Sequence, residues 1–196
     1  MDVRPVILRG VTVTLRPMKI EDVAELYRAG SDEKLWKWTA NFVANEGEMR
    51  VYVEKALHDA ARGSSLPFVT SDTERGDIIG STRFGNIDRV NRKVEIGWTW
   101  ITPDHQRTAV NTEAKLLMLT HAFEVWKCIR VELKTDAFNS KSRNAMIRIG
   151  ATEEGTLRNH MITDSGRFRD SVYFSIIEGE WPAVKEKLTT MLEQPR

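Results

Sequence analysis

The spacing of apolar residues changes period along the chain, and those changes divide it into elements. "VTVTLRPM", residues 11–18, alternates apolar and polar positions and stops near Pro17, the pattern of an edge strand followed by a turn. "KIEDVAELYRAG" then places Ile20, Val23, Leu26 and Tyr27 at helical spacing, with acidic residues early and Gly30 at the end. "SDEKLWKW" predicts a second short helix capped by Ser31, and "EGEMRVYVEKALHDAARG" predicts a longer one closing at Gly63. From Leu66 the period falls to two. "LPFVTSD", "DIIGSTRFGNI" and "RKVEIGWTWI" are short runs rich in Val, Ile, Thr and aromatics, separated by polar turns, and they predict three consecutive antiparallel strands.

Pro103 ends the third of these strands, and "NTEAKLLMLTHAFEVW" follows with apolar residues around nearly its whole circumference, so this helix packs on more than one side. "CIRVELKTDA" is a near-continuous apolar strand of the kind found centrally in a sheet, and "SKSRNAMIRIGA" is a helix with Gly150 at its end. "TEEGTLRNHMIT" and "RFRDSVYFSII" flank the turn "DSGR" as a long hairpin, and "EWPAVKEKLTTMLE" closes the chain as a helix with Pro182 early in it. The sum is an α/β (α+β) fold: a mixed, mostly antiparallel sheet of about seven strands with helices on both faces, in one domain over residues 1–196.

Composition narrows the function classes. A hydrophobic share of 41% and a charged share of 29% exclude a disordered or membrane-spanning chain. The net charge of +1 supplies no overall field to attract nucleic acid or an anionic membrane. A local group, Arg83, Arg89, Arg92 and Lys93, reads first as a solvated mixed-charge loop and second as a ribosome- or RNA-binding patch. Cys128 is the only cysteine, so an intrachain disulfide and a cysteine-built metal cluster are both excluded and a reducing cytosol fits. "MDVRPVILRG" carries charge and a proline where a secretory segment needs an unbroken apolar run. The chain is read as a soluble cytoplasmic protein, mature from its first residue and without a metal.

The stretch "HQRTAVNTEA", His105–Ala114, joins a strand to the start of a buried helix. A strand, a tight loop and a helix N-terminus gather unpaired backbone N–H groups and the positive end of the helix dipole, which together bind anions. Arg107 adds a fixed cation able to hold a phosphate by two bonds, and Thr108 and Thr112 add hydroxyls. The competing reading is an ordinary loop capped by Asn111 or Thr112, with Glu113 and Lys115 solvated.

From "VTVTLRPMKIEDVAELY" through "VEIGWTWITPDHQRTAVNTEAKLLMLTHAFE" and "NSKSRNAMIRIGA" to "EGTLRNHMITDSGRFRDSVYFSII", the order and spacing resemble the GCN5-related N-acetyltransferases, within them the RimJ/RimL branch that acetylates protein N-termini. The resemblance implies acetyl-CoA as co-substrate. It implies a phosphate loop over Gln106, Arg107, Thr108, Ala109, Val110, Asn111 and Thr112, in which Ala109 and Asn111 replace the two usual glycines. Asn tolerates positive φ, so the backbone of a glycine loop can be kept, but its side chain fills volume that the family leaves empty.

The resemblance further implies that Asn139 orients the pantetheine arm, with helix capping as its compatible ordinary role. The position of the family's tyrosine proton donor is Met146, which leaves Ser142 as donor, against a plain helix-start serine. The strand "VEIGWTWI" would pair with pantetheine through backbone at Trp100 and Ile101 and aim one N–H at the thioester oxygen. Gly97 suits close approach there. Glu95 is the best-placed carboxylate for a general base, against a structural ion pair with Arg92 or Lys93; His160 and Tyr173 are further candidates. Trp36, Trp38 and Trp98 would wall the cleft for the acceptor amine, against simple core packing.

An α-amine has a pKa near ~8, so a weak or water-relayed base is sufficient for it, whereas a lysine at about 10.4 demands more. The expected activity is direct acetyl transfer to a peptide N-terminus or a small amine. A CoA-binding regulatory module is the main alternative. Partners are then an acceptor amine, with neither membrane nor nucleic acid, and the exposed hairpin edge is compatible with a homodimer.

Overall fold

The computed structural model describes residues 1–194. One mixed sheet of eight strands runs through it: β1 (Leu8–Arg9), β2 (Val13–Pro17), β3 (Leu66–Asp72), β4 (Ile78–Asp88), β5 (Lys93–Ile101), β6 (Arg130–Asp136), β7 (Thr152–Ile162) and β8 (Phe168–Ile177). Their order is β1-β2-β3-β4-β5-β6-β8-β7, and every neighbouring pair is antiparallel except β5 with β6. All seven expected strands are present. The eighth is the two-residue β1, too short to show a period, and it places β2 one position in from the edge.

Five helices complete the fold: α1 (Val23–Ala29), α2 (Glu46–Ala61), α3 (Ala109–Thr120), α4 (Ser140–Arg148) and α5 (Trp181–Glu193), with α3 extended by a π-helical turn over His121–Val125. The expected helix at "SDEKLWKW" is reduced to one 3-10 turn, Glu33–Leu35, capped by Asp32 and not by Ser31. So short a segment cannot propagate a helix, and the Trp36 indole turns inward to donate to the Gly30 carbonyl at 2.8 Å. Among the described residues no helix is long and apolar enough to cross a membrane.

Alternation along the strands builds two cores, one on each face. Val13, Leu15, Phe68, Phe84, Val94, Ile96, Val131, Leu133 and Phe174 point to the face covered by α3 and α5. Val69, Ile78 and Trp100 point to the other face and pack with Leu26, Trp36, Met49 and Val53 from the α1 and α2 region. Strict alternation would put Trp98 and Trp100 on the face of Val94 and Ile96. Instead Arg83 opposes Gly97 and Ser81 opposes Trp100, so β5 carries one extra residue, a bulge, with Trp98 at φ 51°. The bulge turns both tryptophans toward α1 and α2, at a backbone cost of about 1–3 kcal/mol for a non-glycine residue held in that region.

The α3 end is fixed by a buried carboxylate. Glu113, expected to be solvated, is buried and accepts from the backbone N–H groups of Val11, Thr12 and Val13 at 2.7–2.8 Å. The approach is so close that a β-carbon on Gly10 would lie 2.4 Å from the Glu113 carboxyl carbon. Replacing Glu113 by Ala leaves three amides without their acceptor and is expected to lower unfolding stability by about 2–3 kcal/mol, read as a lower urea midpoint at unchanged m.

Candidate active site

β5 and β6 pair in parallel for only three residues, Lys93–Glu95 against Arg130–Glu132. Beyond Glu95 and Glu132 the strands carry on but no longer pair with each other, so a wedge opens between Ile96–Ile101 and Leu133–Asp136. Both strands run toward the open end, where β5 leads through residues 102–108 into α3 and β6 leads through residues 137–139 into α4. Two helix N-termini therefore flank the mouth of the wedge, each with amides that no intrahelical carbonyl can satisfy.

On the α3 side Thr108 caps the helix, accepting from the Val110 amide at 3.3 Å, so the cap lies three residues before the expected Asn111. Asn111 accordingly lies in the first helical turn. The left-handed residue of the loop is Arg107, at φ 62°, and its side chain is exposed. The backbone strain foreseen at the glycine-replaced position is thus borne by Arg107. Gln106 donates from Nε2 to the Ile101 carbonyl at 3.0 Å, tying the loop to the end of β5. Ala109 is half-buried; Val110 and Thr112 are buried.

On the α4 side Asn139 caps the helix, its Oδ1 accepting from the Ser142 amide at 3.0 Å. Ser142 and Met146 are half-buried. Arg148 donates to Thr112 Oγ1 at 3.2 Å, linking the two helices that flank the wedge.

Glu95 is the last residue of β5 paired with β6, at the apex of the wedge, and is buried. Its Oε2 accepts from Lys134 Nζ at 2.9 Å and from Asn86 Nδ2 at 2.7 Å, so its partner is on β6 and not Arg92 or Lys93. Lys93 instead faces Glu132 at 3.6 Å. Oε1 lies toward Gly97, where a β-carbon would come within 2.8 Å, so glycine leaves that oxygen open. Lys134 also lies 5.8 Å from the Trp98 ring centroid and 5.7 Å from that of Tyr173. Tyr173 is opposite Lys134 on β8, and its hydroxyl is 3.4 Å from His160 Nε2. Burial, then the positive charges of Lys134 and Arg169, push the His160 imidazolium below its ordinary range, so the ring is neutral at pH 7.

The aromatic candidates separate. Trp36 is buried, with its ring centroid 5.5 Å from that of Trp100 and 5.9 Å from that of Tyr52, which makes both Trp36 and Trp100 core residues on the α2 side. Trp100 and Ile101 thus offer the wedge backbone and not side chains. Trp98 is half-buried beside the apex. Trp38 stands farther out, 6.0 Å from Phe138 between ring centroids, with the Arg167 guanidinium 5.7 Å from its ring. The Asp164 amide donates to the Ala40 carbonyl, and Asp164 accepts from the Phe42 amide at 3.0 Å, so the loop before α2 reaches the β7–β8 turn and encloses the outer end of the cleft.

Three features escaped the sequence. Lys134, Asn86 and Arg83 join this region through strand pairing, which no local pattern reports. Arg83 also removes the supposed basic patch, because it is buried away from exposed Arg89 and Arg92. Lys115, expected to be solvated, is buried; burial pushes it down to about 7, and it donates to Thr99 Oγ1 on β5 at 3.0 Å. Cys128 is buried among apolar neighbours and pushed up to about 11, so it stays a thiol.

The family profile of the acetyltransferase (GNAT) domain matches residues 12–152, and the chain belongs to this family of N-acetyltransferases. It is 32% identical over 173 residues to the Bacillus subtilis (strain 168) protein named "Putative ribosomal N-acetyltransferase YdaF", covering 87% of this chain and 92% of that one. A GCN5-related N-acetyltransferase from Brucella melitensis superposes with TM-score 0.90 at 29% identity, covering 98% of this chain and 87% of that one. Mycobacterium smegmatis RimJ in complex with CoA-disulfide superposes with TM-score 0.78 at 25% identity, covering 95% and 92%.

The buried Lys115 gives stability a pH dependence. Its folded value near 7 is below the ordinary 10.5, so between those limits the unfolded chain binds more protons and stability rises with pH. The contribution is complete above about 10.5 and lost as pH falls to about 7. Lys115→Met is expected to flatten this rise and to stabilise the protein at pH 7 by on the order of a few kcal/mol, read from urea midpoints at pH 7, 8.5 and 10.

Proposed function

We propose that the chain transfers an acetyl group from acetyl-CoA directly to a primary amine, in a single cytoplasmic domain. The preferred acceptor is a protein N-terminal α-amine. The observation that carries this reading is the wedge: beyond Glu95 the edge of β5 that faces β6 has no strand partner, and the N-termini of α3 and α4 flank it.

The residues present fit the donor. The helix N-terminus at Thr108–Asn111 and the exposed Arg107 suit a pyrophosphate, and the open edge of Gly97–Ile101 suits an amide-bearing arm lying beside it like an added strand. Ala109 adds only a methyl at the start of the helix, and Asn111 is held in helical geometry, so neither closes the loop to phosphate. Asn139 faces the same mouth from α4. When bound, acetyl-CoA supplies an activated thioester. That YdaF is named for ribosomal acetyltransfer and that RimJ is described with a CoA-disulfide supports both the donor and a protein acceptor.

The reaction forms one N–C bond, breaks one C–S bond, and requires the chain to take a proton from the amine and give one to sulfur. Glu95 takes the first, directly or through water, at Oε1, since Oε2 is engaged by Lys134 and Asn86. An α-amine near pKa ~8 is already partly neutral at physiological pH and asks less of any base than a lysine side chain near about 10.4. Ser142, in the first turn of α4, supplies the second proton. The β5 backbone amides beside the bulge stabilise negative charge on the acetyl oxygen.

Thiol release from acetyl-CoA across N-terminal peptides and small amines tests the reading. Turnover is expected with α-amines ahead of lysine side chains, and a protein that binds no acetyl-CoA would refute it. Glu95→Gln is expected to lower kcat by about 10²-fold with little change in the KM for acetyl-CoA. Arg107→Ala is expected to raise that KM about three- to tenfold, and unchanged affinity would remove Arg107 from the phosphate site.

A further inference from the structure

Arg83 lies on β4 directly opposite Gly97 and is only 3% exposed. Its guanidinium carbon is 4.8 Å from the Trp98 ring centroid and 5.1 Å from that of Tyr52, so two aromatic rings hold the cation. Among the described residues no carboxylate pairs with it, and its Nε has no hydrogen-bond acceptor. Further polar groups around it also lack partners. Trp100 Nε1, Tyr52 Oη and Ser81 Oγ are buried and unpartnered in the same layer between α2, β4 and β5. A buried cation without a counter-charge is costly, and buried polar groups without hydrogen-bond partners add to that cost.

The other charges of the cleft do not relieve it. Glu95 is engaged by Lys134, and Asp136 is engaged by Arg167, with Arg169 3.9 Å away. Lys134, Arg83, Arg167 and Arg169 thus face two carboxylates, a surplus of two positive charges spread along the cleft from Glu95 at its apex to Asp136 at its outer end.

We propose that Arg83, clasped by Trp98 and Tyr52, binds a carboxylate carried by the acceptor, so that the enzyme selects amines bearing an acidic group close to the nitrogen that is acetylated. The inference rests on the acetyltransferase reading above. Arg83 is paired with Gly97 and in contact with Trp98, next to Glu95 along β5, so the selected carboxylate is within about two residues' reach of the amine, roughly 7 Å. An acidic residue at the first or second position of a peptide meets this requirement, and so does a free amino acid. Arg83 is a specificity residue here: it touches the acceptor and leaves the proton transfers to Glu95 and Ser142.

The test compares isosteric acceptors with the wild-type protein. Thiol release is measured for N-terminal peptides with Asp or Glu against Asn or Gln at positions one and two, and for free aspartate and glutamate against asparagine and glutamine. Binding of the same pairs is measured by calorimetry in the presence of CoA. The acidic member of a pair is expected to be favoured at least about tenfold in kcat/KM or in affinity, as for a charge-assisted hydrogen bond in a buried site. Peptides ahead of free amino acids would identify a protein N-terminus as the source of the carboxylate, and the reverse order a small metabolite. Arg83→Lys is expected to keep part of the acidic preference, and Arg83→Met to abolish the ratio within each pair.

Equal use of acidic and amide members by the wild-type protein would overturn the proposal, whatever the variants do. So would a preference that survives Arg83→Met. Carboxylate preference in a protein that binds no acetyl-CoA would instead uphold Arg83 and overturn the reading of the wedge.

Discussion

The structure depends on a pairing that stops. β5 and β6 share three residue pairs and then separate, although both strands continue. In a parallel sheet a strand interior normally satisfies its backbone on both edges, so abandoning the ladder leaves polar groups that need another partner. The fold accepts that cost at one place and concentrates two helix N-termini there. The rest of the molecule works to keep the wedge open: α3 and α5 pack one face, α1 and α2 pack half of the other, and β6, β8 and β7 form a second wing.

Two devices hold this geometry. The bulge at Trp98 reverses the alternation of β5, so Val94 and Ile96 serve one core while Trp98 and Trp100 serve the other. A single inserted residue thereby lets one strand belong to both layers and brings Trp98 beside Glu95, Lys134 and Arg83. The second device is polar. Glu113 on α3 holds the turn between β1 and β2 through three backbone amides, and Lys115 reaches Thr99 on β5, so the helix behind the loop over residues 102–108 is anchored at two points to strands. A helix fixed in this way presents its N-terminus in one orientation, the preorganisation that binding a flexible, charged donor requires.

Much of this was legible in the residues, and the gaps have physical causes. Strands were read to within a residue or two at most ends because period-two alternation is local and strong. α3 is legible, but an Asn111 cap places its start three residues late, because Thr108, Asn111 and Thr112 are all good caps and only backbone geometry selects among them. The aromatic pair in "KLWKW" gave no sign that Trp36 turns into the core while Trp38 remains at the cleft. Glu113 and Lys115 looked solvated because their partners, Val11–Val13 and Thr99, are distant in sequence or on another element. Arg83 had the same difficulty: within a basic run it resembles any surface arginine, and only the pairing of β4 with β5 places it between two rings. The family's order of motifs identified the wedge, whereas the charges lining it became visible only with the sheet assembled.

If the donor lies along the β6-facing edge of β5 beyond Glu95, its binding must protect that edge. Amide hydrogen exchange of the whole protein, with and without acetyl-CoA, tests it most directly. The account predicts new protection concentrated in Gly97–Ile101 of β5 and in the first turns of α3 and α4, with Arg130–Glu132 unchanged because those residues are already paired. Protection confined to other elements, with β5 exchanging as before while acetyl-CoA is bound, would contradict it.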